Sequence, residues 1–422
     1  MGNICGSSNE GDPGPTLSYF LSLRKLRNID RSEFFLSRSN DGGKTAQVLE
    51  QGTLAILRHE DVVTELESYC ENWTSGRFYR GNDLGFLRLN SKLWDDLNPS
   101  HMTLGATVKD HANIRPILDR ICGTDGNWNK LDIFNHAKSY LQKEFIDPGL
   151  PFKAPFDLRI WVCIFLHRTM LNMELSYGEA KTFVEMQENL LKIMVLPECA
   201  LNVDCISRKM KVQDVSEFRR KQMLKYKIIL GQQFDHLTSE AELHYVAAGY
   251  FDALMLAGGL SVPQGIHNAL AVMYSLQSPK QPELEINESN LPCLVWETLR
   301  FFPLVLCVPY YINPEKSKRR LICLVTALRD RKVWGEDAAS FRLRDIAQYQ
   351  EMSTVWAEQM IDKDNPANNR NCPAKDLSYQ MILNFLKAFL QKKDQFKIEK
   401  SVNEIKIIPE VSTWEFQTQS TF

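Results

Sequence analysis

The chain has 422 residues, 44% of them hydrophobic and 24% charged, with a formal net charge of −2. That charge gives no electrostatic case for binding nucleic acid, and the hydrophobic share suffices for a large buried core. The ten cysteines are scattered, without paired zinc spacings or a short disulfide framework, which reads as reduced thiols in an intracellular chain.

In chain order, residues 1–15 form a polar tail rich in Gly, Ser, Asn and Pro, lacking the apolar segment of a signal peptide. Its start, Met1-Gly2-Asn3-Ile4-Cys5-Gly6-Ser7, is similar to a myristoylation signal with a palmitoylatable cysteine, with the usual Ser/Thr one place late at Ser7. Two acyl chains would hold a membrane stably and one only marginally. The alternative is a plain flexible tail. Localisation is therefore read as cytoplasmic or peripheral on a membrane. No secretion is expected, and the longest apolar stretches, such as 303–312, are too short for a transmembrane helix.

From residue 16 to 422 no linker or internal repeat interrupts the chain, which argues for one large domain. Short strand-like runs (53–57, 85–89) mix with a helix at 59–72. Apolar spacing then predicts helices over 135–145, 158–175, 177–194 and 212–230, and a longer one from the capping pattern at Ser239 to about 276. Another follows at 288–301. Two β-rich pieces, 304–312 and 321–327, are joined by a charged turn at 316–320. An amphipathic helix starts at Cys372-Pro373, and a hairpin pairing 396–400 with 404–408 ends the pattern. The fold class is mainly α with small β-sheets.

Three places carry chemistry. Cys372 stands at the mouth of its helix, where the dipole, free N–H groups and Arg370 favour a thiolate suited to ligating iron. Glu297 and Arg300 share one face of an apolar helix, so the pair is expected to be buried, with Arg344 downstream as a further partner. In the long helix, Gly258, Gly259 and Pro263 predict a local distortion, or else a close helix crossing at small residues. The remaining histidines show no metal spacing, and Cys163, Cys293, Cys307 and Cys323 lie in apolar runs as core residues.

Taken together, the Glu-x-x-Arg helix, the following β pieces, the Trp334-Gly335…Phe341…Arg344 stretch and the cysteine helix resemble the cytochrome P450 superfamily. The loop departs from the monooxygenase pattern: Asn365, Asn368 and Ala374 stand where Phe, Gly and Gly are usual. It is more similar to the plant branch of allene oxide synthases and fatty-acid hydroperoxide lyases. There a Trp, a long polar insertion with a proline and an Asn-rich approach precede the cysteine. Trp356, Pro366 and Asn369-Arg370-Asn371-Cys372-Pro373-Ala374-Lys375-Asp376 match that order.

The resemblance implies a haem held by Cys372, with His111, Arg115 and Arg370 pairing with the propionates and Glu297, Arg300 and Arg344 locking the core beneath. The pair His111 and Arg115 alone would equally suit a solvent-facing helix edge, and Pro116 disfavours helix there. Met255, Gly258, Gly259 and Val305 are expected to line the substrate pocket, with Ser261 as a catalytic alcohol. Leu260 occupies the place of the acid that relays protons in oxygen-activating members. The implied substrate is a polyunsaturated fatty-acid hydroperoxide, rearranged without O2 or a reductase partner. Met255, Leu256 and Ala257 differ from the plant enzymes, which place an Asn nearby, so the product is open among allene oxide, epoxyalcohol and chain-cleaved forms. A reductase-dependent monooxygenase and a non-catalytic haem or lipid-binding protein are the alternatives.

Overall fold

The helix Phe156–Leu171 is apolar on every side and therefore has to lie inside the molecule; Leu158, Ile160, Trp161, Val162, Phe165 and Leu166 are all buried. In the computed structural model, which describes residues 46–48, 54–74, 78–79, 108–124, 126–195, 205–234, 239–274, 286–305, 308–312, 318–402 and 413–418, other long helices gather around it. These are Ile133–Leu141, Tyr177–Val195, Cys205–Gln233, Gly258–Met273 and Lys375–Leu390. Their inner faces share one hydrophobic core.

The central helix runs from Glu240–Asp252 through a π-helical turn, Ala253–Ala257, into Gly258–Met273. The expected distortion is thus present, directly before the two glycines. The stretch Val246–Met273 is long and apolar enough to cross a membrane, yet 69% of its most apolar window lies inside the fold. Gly265 lets this helix approach the cysteine helix closely, since a Cβ there would stand 2.8 Å from Ile382 Cδ1.

The strands are β1 (Ala46–Val48), β2 (Leu54–Ile56), β3 (Phe78–Tyr79), β4 (Phe152–Ala154), β5 (Val308–Ile312), β6 (Lys318–Ile322), β7 (Phe396–Val402) and β8 (Thr413–Thr418). Five of them form a sheet ordered β1-β2-β6-β5-β3, in which only the β2–β6 pairing is parallel. A second sheet, β4-β8-β7, is antiparallel throughout. Beside the first sheet lies a smaller core built on Val62, Leu66, Tyr69, Cys70, Tyr310, Ile322 and Met360.

Four local expectations need correction. The run 321–327 is not all strand: β6 ends at Ile322, and Leu324–Ala327 turns into a short helix with every residue buried. The charged turn is accordingly shorter, because Lys318, Arg319 and Arg320 pair within the sheet. The terminal strand β7 runs on through Val402 and pairs with β8, while the expected partner 404–408 lies outside the described residues along with 1–15, 85–89 and Cys307. Finally, Pro116 sits inside the continuous helix Val108–Cys122. It lies on the exposed side, where water can replace the bond that proline removes.

Candidate functional site

Glu297 is wholly buried and its two oxygens are fully used. Oε1 accepts from Arg300 Nη2 (2.7 Å), Arg344 Nη1 (2.7 Å) and the Arg342 N–H (2.8 Å). Oε2 accepts from Arg300 Nε (2.7 Å) and the Tyr349 hydroxyl (2.9 Å). Arg300, 1% exposed, also donates to the carbonyls of Leu328, Ala338 and Ser340, and Arg344 to Asp337. Glu297, Arg300 and Arg344 therefore meet in a buried site, with the remaining donors on backbone carbonyls and on the half-buried Asp337, as a buried ion pair requires. The sequence identifies Glu297, Arg300 and Arg344. Tyr349 and Asp337 carry no such signal, because each reaches this network from outside the Glu297 helix.

The cysteine loop packs against that helix. Trp296 stacks on Tyr349 (6.1 Å between centroids, 7° between planes) and meets Trp356 edge-on at 5.1 Å. The Trp356 carbonyl accepts the Cys372 N–H at 3.0 Å, and the Met360 carbonyl accepts the N–H groups of Arg370 (2.9 Å) and Asn371 (3.1 Å). Asp362 shapes the polar insertion: its carboxylate accepts from the N–H of Asp364 and Asn365 and from Asn368 Nδ2, and these bonds lower its pKa. Asp362 was not singled out from sequence, although Asp-Lys-Asp-Asn-Pro carries the composition of side-chain-bonded turns.

The helix Val108–Cys122 grips the loop from the other side. Arg115, 4% exposed, donates through Nη1 to the carbonyls of Asn369 and Asn371 (2.7 Å each), through Nη2 to Asn371 Oδ1 (2.8 Å) and through Nε to Asp119 (2.7 Å). His111 Nδ1 donates to the Ala367 carbonyl at 3.2 Å. Burial, then the charges of Arg370 and Arg115, lower the His111 pKa to about 3, so its imidazole is neutral. The structure thus brings His111, Arg115 and Arg370 together beside Cys372.

Cys372 departs from expectation in its place relative to the helix. Its helix begins only at Lys375, so Pro373 precedes the first turn rather than occupying it. Burial pushes the thiol up to about 11, outweighing the Ala374 N–H and the Arg115 charge that favour the thiolate. Binding a cation would supply the charge that ionises it. Among the described residues no group of three or more His, Cys, Asp and Glu side chains converges on a metal-sized site. A single sulfur donor beside the guanidinium groups of Arg115 and Arg370, with the neutral imidazole of His111 next to them, is a donor set for an iron group that brings its own anionic carboxylates. The residues fit a haem.

The central helix places the other candidates. Met255 is fully buried, and its carbonyl accepts from Gln187 Nε2. Gly258 and Gly259 face Leu166 and Gln187 on adjacent helices, so they also serve the close crossing. Ala257 is exposed, and Leu260, Ser261 and Gln264 are half-buried, so one face of an otherwise buried helix is left open. Ser261 Oγ donates to the Ala257 carbonyl. Val305, after the Glu297 helix, is 47% exposed.

A scan against protein-family models found no match, and a search of curated proteins found none. Solved structures do match. P450BioI, in complex with a hexadec-9Z-enoic acid-ligated acyl carrier protein, is 11% identical with a TM-score of 0.66, over 94% of this chain and 99% of that one. Epothilone B-bound cytochrome P450epoK is 13% identical with a TM-score of 0.65, over 97% and 99%. A thermophilic cytochrome P450 from Sulfolobus tokodaii is 14% identical with a TM-score of 0.60, over 92% and 99%. Over more than nine-tenths of its length, this chain has the cytochrome P450 fold.

Proposed function

We propose that the protein is a haem-thiolate enzyme that rearranges polyunsaturated fatty-acid hydroperoxides without O2 or a reductase. One observation carries this reading. The helix Gly258–Met273 contains no Asp or Glu, Leu260 stands where a relay acid would be, and the Ser261 hydroxyl donates to the Ala257 carbonyl instead of to a reacting group. Proton delivery for cleaving O2 would be poor there.

When bound, the haem supplies a ferric centre that splits a peroxide O–O bond homolytically, a step that needs no external proton or electron. Cys372 would hold it, with the Ala374 N–H moderating the charge on sulfur. Arg115 and Arg370 would pair with its carboxylates. Burial and, after it, the charges of Arg370 and Arg115 lower the His111 pKa, and an anion there would offset the part due to charge, which suits His111 as a third partner. The Glu297, Arg300 and Arg344 network keeps the loop in register. Leu260 adds an apolar side chain to the open face, and Leu304 and Val305 would meet the acyl chain. The P450BioI structure, obtained with an acyl chain on its carrier protein, supports a lipid substrate in a similar fold. The same reading takes 16–422 as one haem-binding unit and 1–15 as a tail that acylation at Gly2 and Cys5 would hold on a membrane.

Mixing haem-loaded protein with a polyunsaturated fatty-acid hydroperoxide tests the proposal. Loss of the conjugated-diene absorbance without reductase or reduced nicotinamide is expected. Turnover only with a reductase would make it a monooxygenase.

A further inference from the structure

Gln187, on the helix Tyr177–Val195, is 1% exposed. Its Nε2 donates to the Met255 carbonyl at 2.6 Å, while its Oε1 is buried without a partner. Met255 lies in the middle of the π-helical turn Ala253–Ala257. Gly259 makes the room: a Cβ there would stand 3.0 Å from Gln187 Nε2 and 1.8 Å from the Leu254 carbonyl oxygen. Two carbonyls of the turn are thus held by side chains, that of Ala257 by Ser261 and that of Met255 by Gln187.

Packing alone does not account for Gln187. A buried amide with an orphan oxygen is less favourable than a methionine of similar shape, so the polar group needs another reason to be there. The turn itself supplies one. An extra residue within a helical turn rotates the side chains that follow by about 100°. Whether the turn is kept therefore decides if Leu260 and Ser261 sit on the open face.

We propose that Gln187 is a positioning residue: through the Met255 carbonyl it holds the π-helical turn and so sets the direction of Leu260 and Ser261 at the open face. Its effect on turnover rests on the hydroperoxide reading; its effect on the turn does not. Through this bond, any movement of the helix Tyr177–Val195 is felt at that face.

The test replaces Gln187 by methionine in the haem-loaded protein. Expected are a melting temperature unchanged or raised, faster hydrogen exchange at the amides of 255–261, and kcat for the hydroperoxide lowered about tenfold or more with KM changed less. Unchanged exchange, or a kcat loss that merely follows a lower melting temperature, overturns the proposal. Should that variant fail to fold, Gln187→Glu keeps the shape and donates to Met255 only when protonated. Its exchange at 255–261, corrected for the intrinsic pH dependence, should then rise between about pH 5 and 8 while the wild type stays flat. Equal behaviour of the two overturns it. Failure of the wild type to consume hydroperoxide would sink the proposed function and leave the exchange result to decide the role of Gln187.

Discussion

The carbonyl of Trp356 accepts the backbone N–H of Cys372 at 3.0 Å, and its ring stands edge-on to Trp296 with centroids 5.1 Å apart. A single residue therefore ties the cysteine to the helix Leu291–Phe301, whose Glu297 and Arg300 anchor the following loop. The cysteine's position is set by packing on both sides, which suits a ligand that must hold iron at fixed geometry.

Removing the Trp356 ring should loosen that tie. Trp356→Ala is expected to cost about 3–5 kcal/mol of stability, and Trp356→Phe clearly less. Haem transfer to apomyoglobin should be faster from Trp356→Ala than from wild type. Equal transfer rates would show that the ring does not support the loop.

Glu297 meets two guanidinium groups, one N–H and one hydroxyl. Glu297→Ala leaves both cations buried and is expected to cost about 3–5 kcal/mol, with failure to incorporate haem. Soluble, haem-replete and fully stable Glu297→Ala protein in a denaturant titration would contradict this.

A pH effect is expected far from the cysteine. Asp157 is 4% exposed; it accepts from the Lys153 N–H at 2.6 Å and from Tyr177 at 3.1 Å, and burial raises its pKa from 3.8 to about 6. The folded state then keeps a proton that the unfolded chain releases between about pH 4 and 6, so stability falls as pH rises through that window. The full difference is of the order of 3 kcal/mol. Melting curves of Asp157→Asn should lack most of this fall, and parallel curves for variant and wild type would refute it.

Periodicity made the long helices readable, because each buries one continuous stripe or, in Phe156–Leu171, most of its surface. The Gly258–Gly259–Pro263 pattern likewise forecast a distortion, found as the turn Ala253–Ala257. What stayed hidden depends on distant partners. β7 alternates in the same way whichever strand it pairs with, so nothing local assigns it to β8 and, through β8, to β4. Pro116 argued against a helix at Arg115, and the bonds of Arg115 to the carbonyls of Asn369 and Asn371 arise only when the loop folds back on it. The approach to the cysteine helix is visible in sequence, whereas the burial around the Cys372 thiol is not.

Ser261 separates the two enzyme readings. With its hydroxyl bonded to the Ala257 carbonyl it is not poised as a relay, so Ser261→Ala should change hydroperoxide turnover by only a few-fold. Loss of a working acid–base group would cost about 10²–10⁴ in rate.

The most direct measurement is anaerobic consumption of a fatty-acid hydroperoxide by haem-loaded wild type, Ser261→Ala and Cys372→Ser, without reductase, with the ferrous carbon-monoxide spectrum recorded for each. Wild type and Ser261→Ala should both consume the substrate and show the thiolate signature, and Cys372→Ser should lose that signature. Absence of turnover in wild type without a reductase, or a thiolate spectrum that survives in Cys372→Ser, would contradict the account.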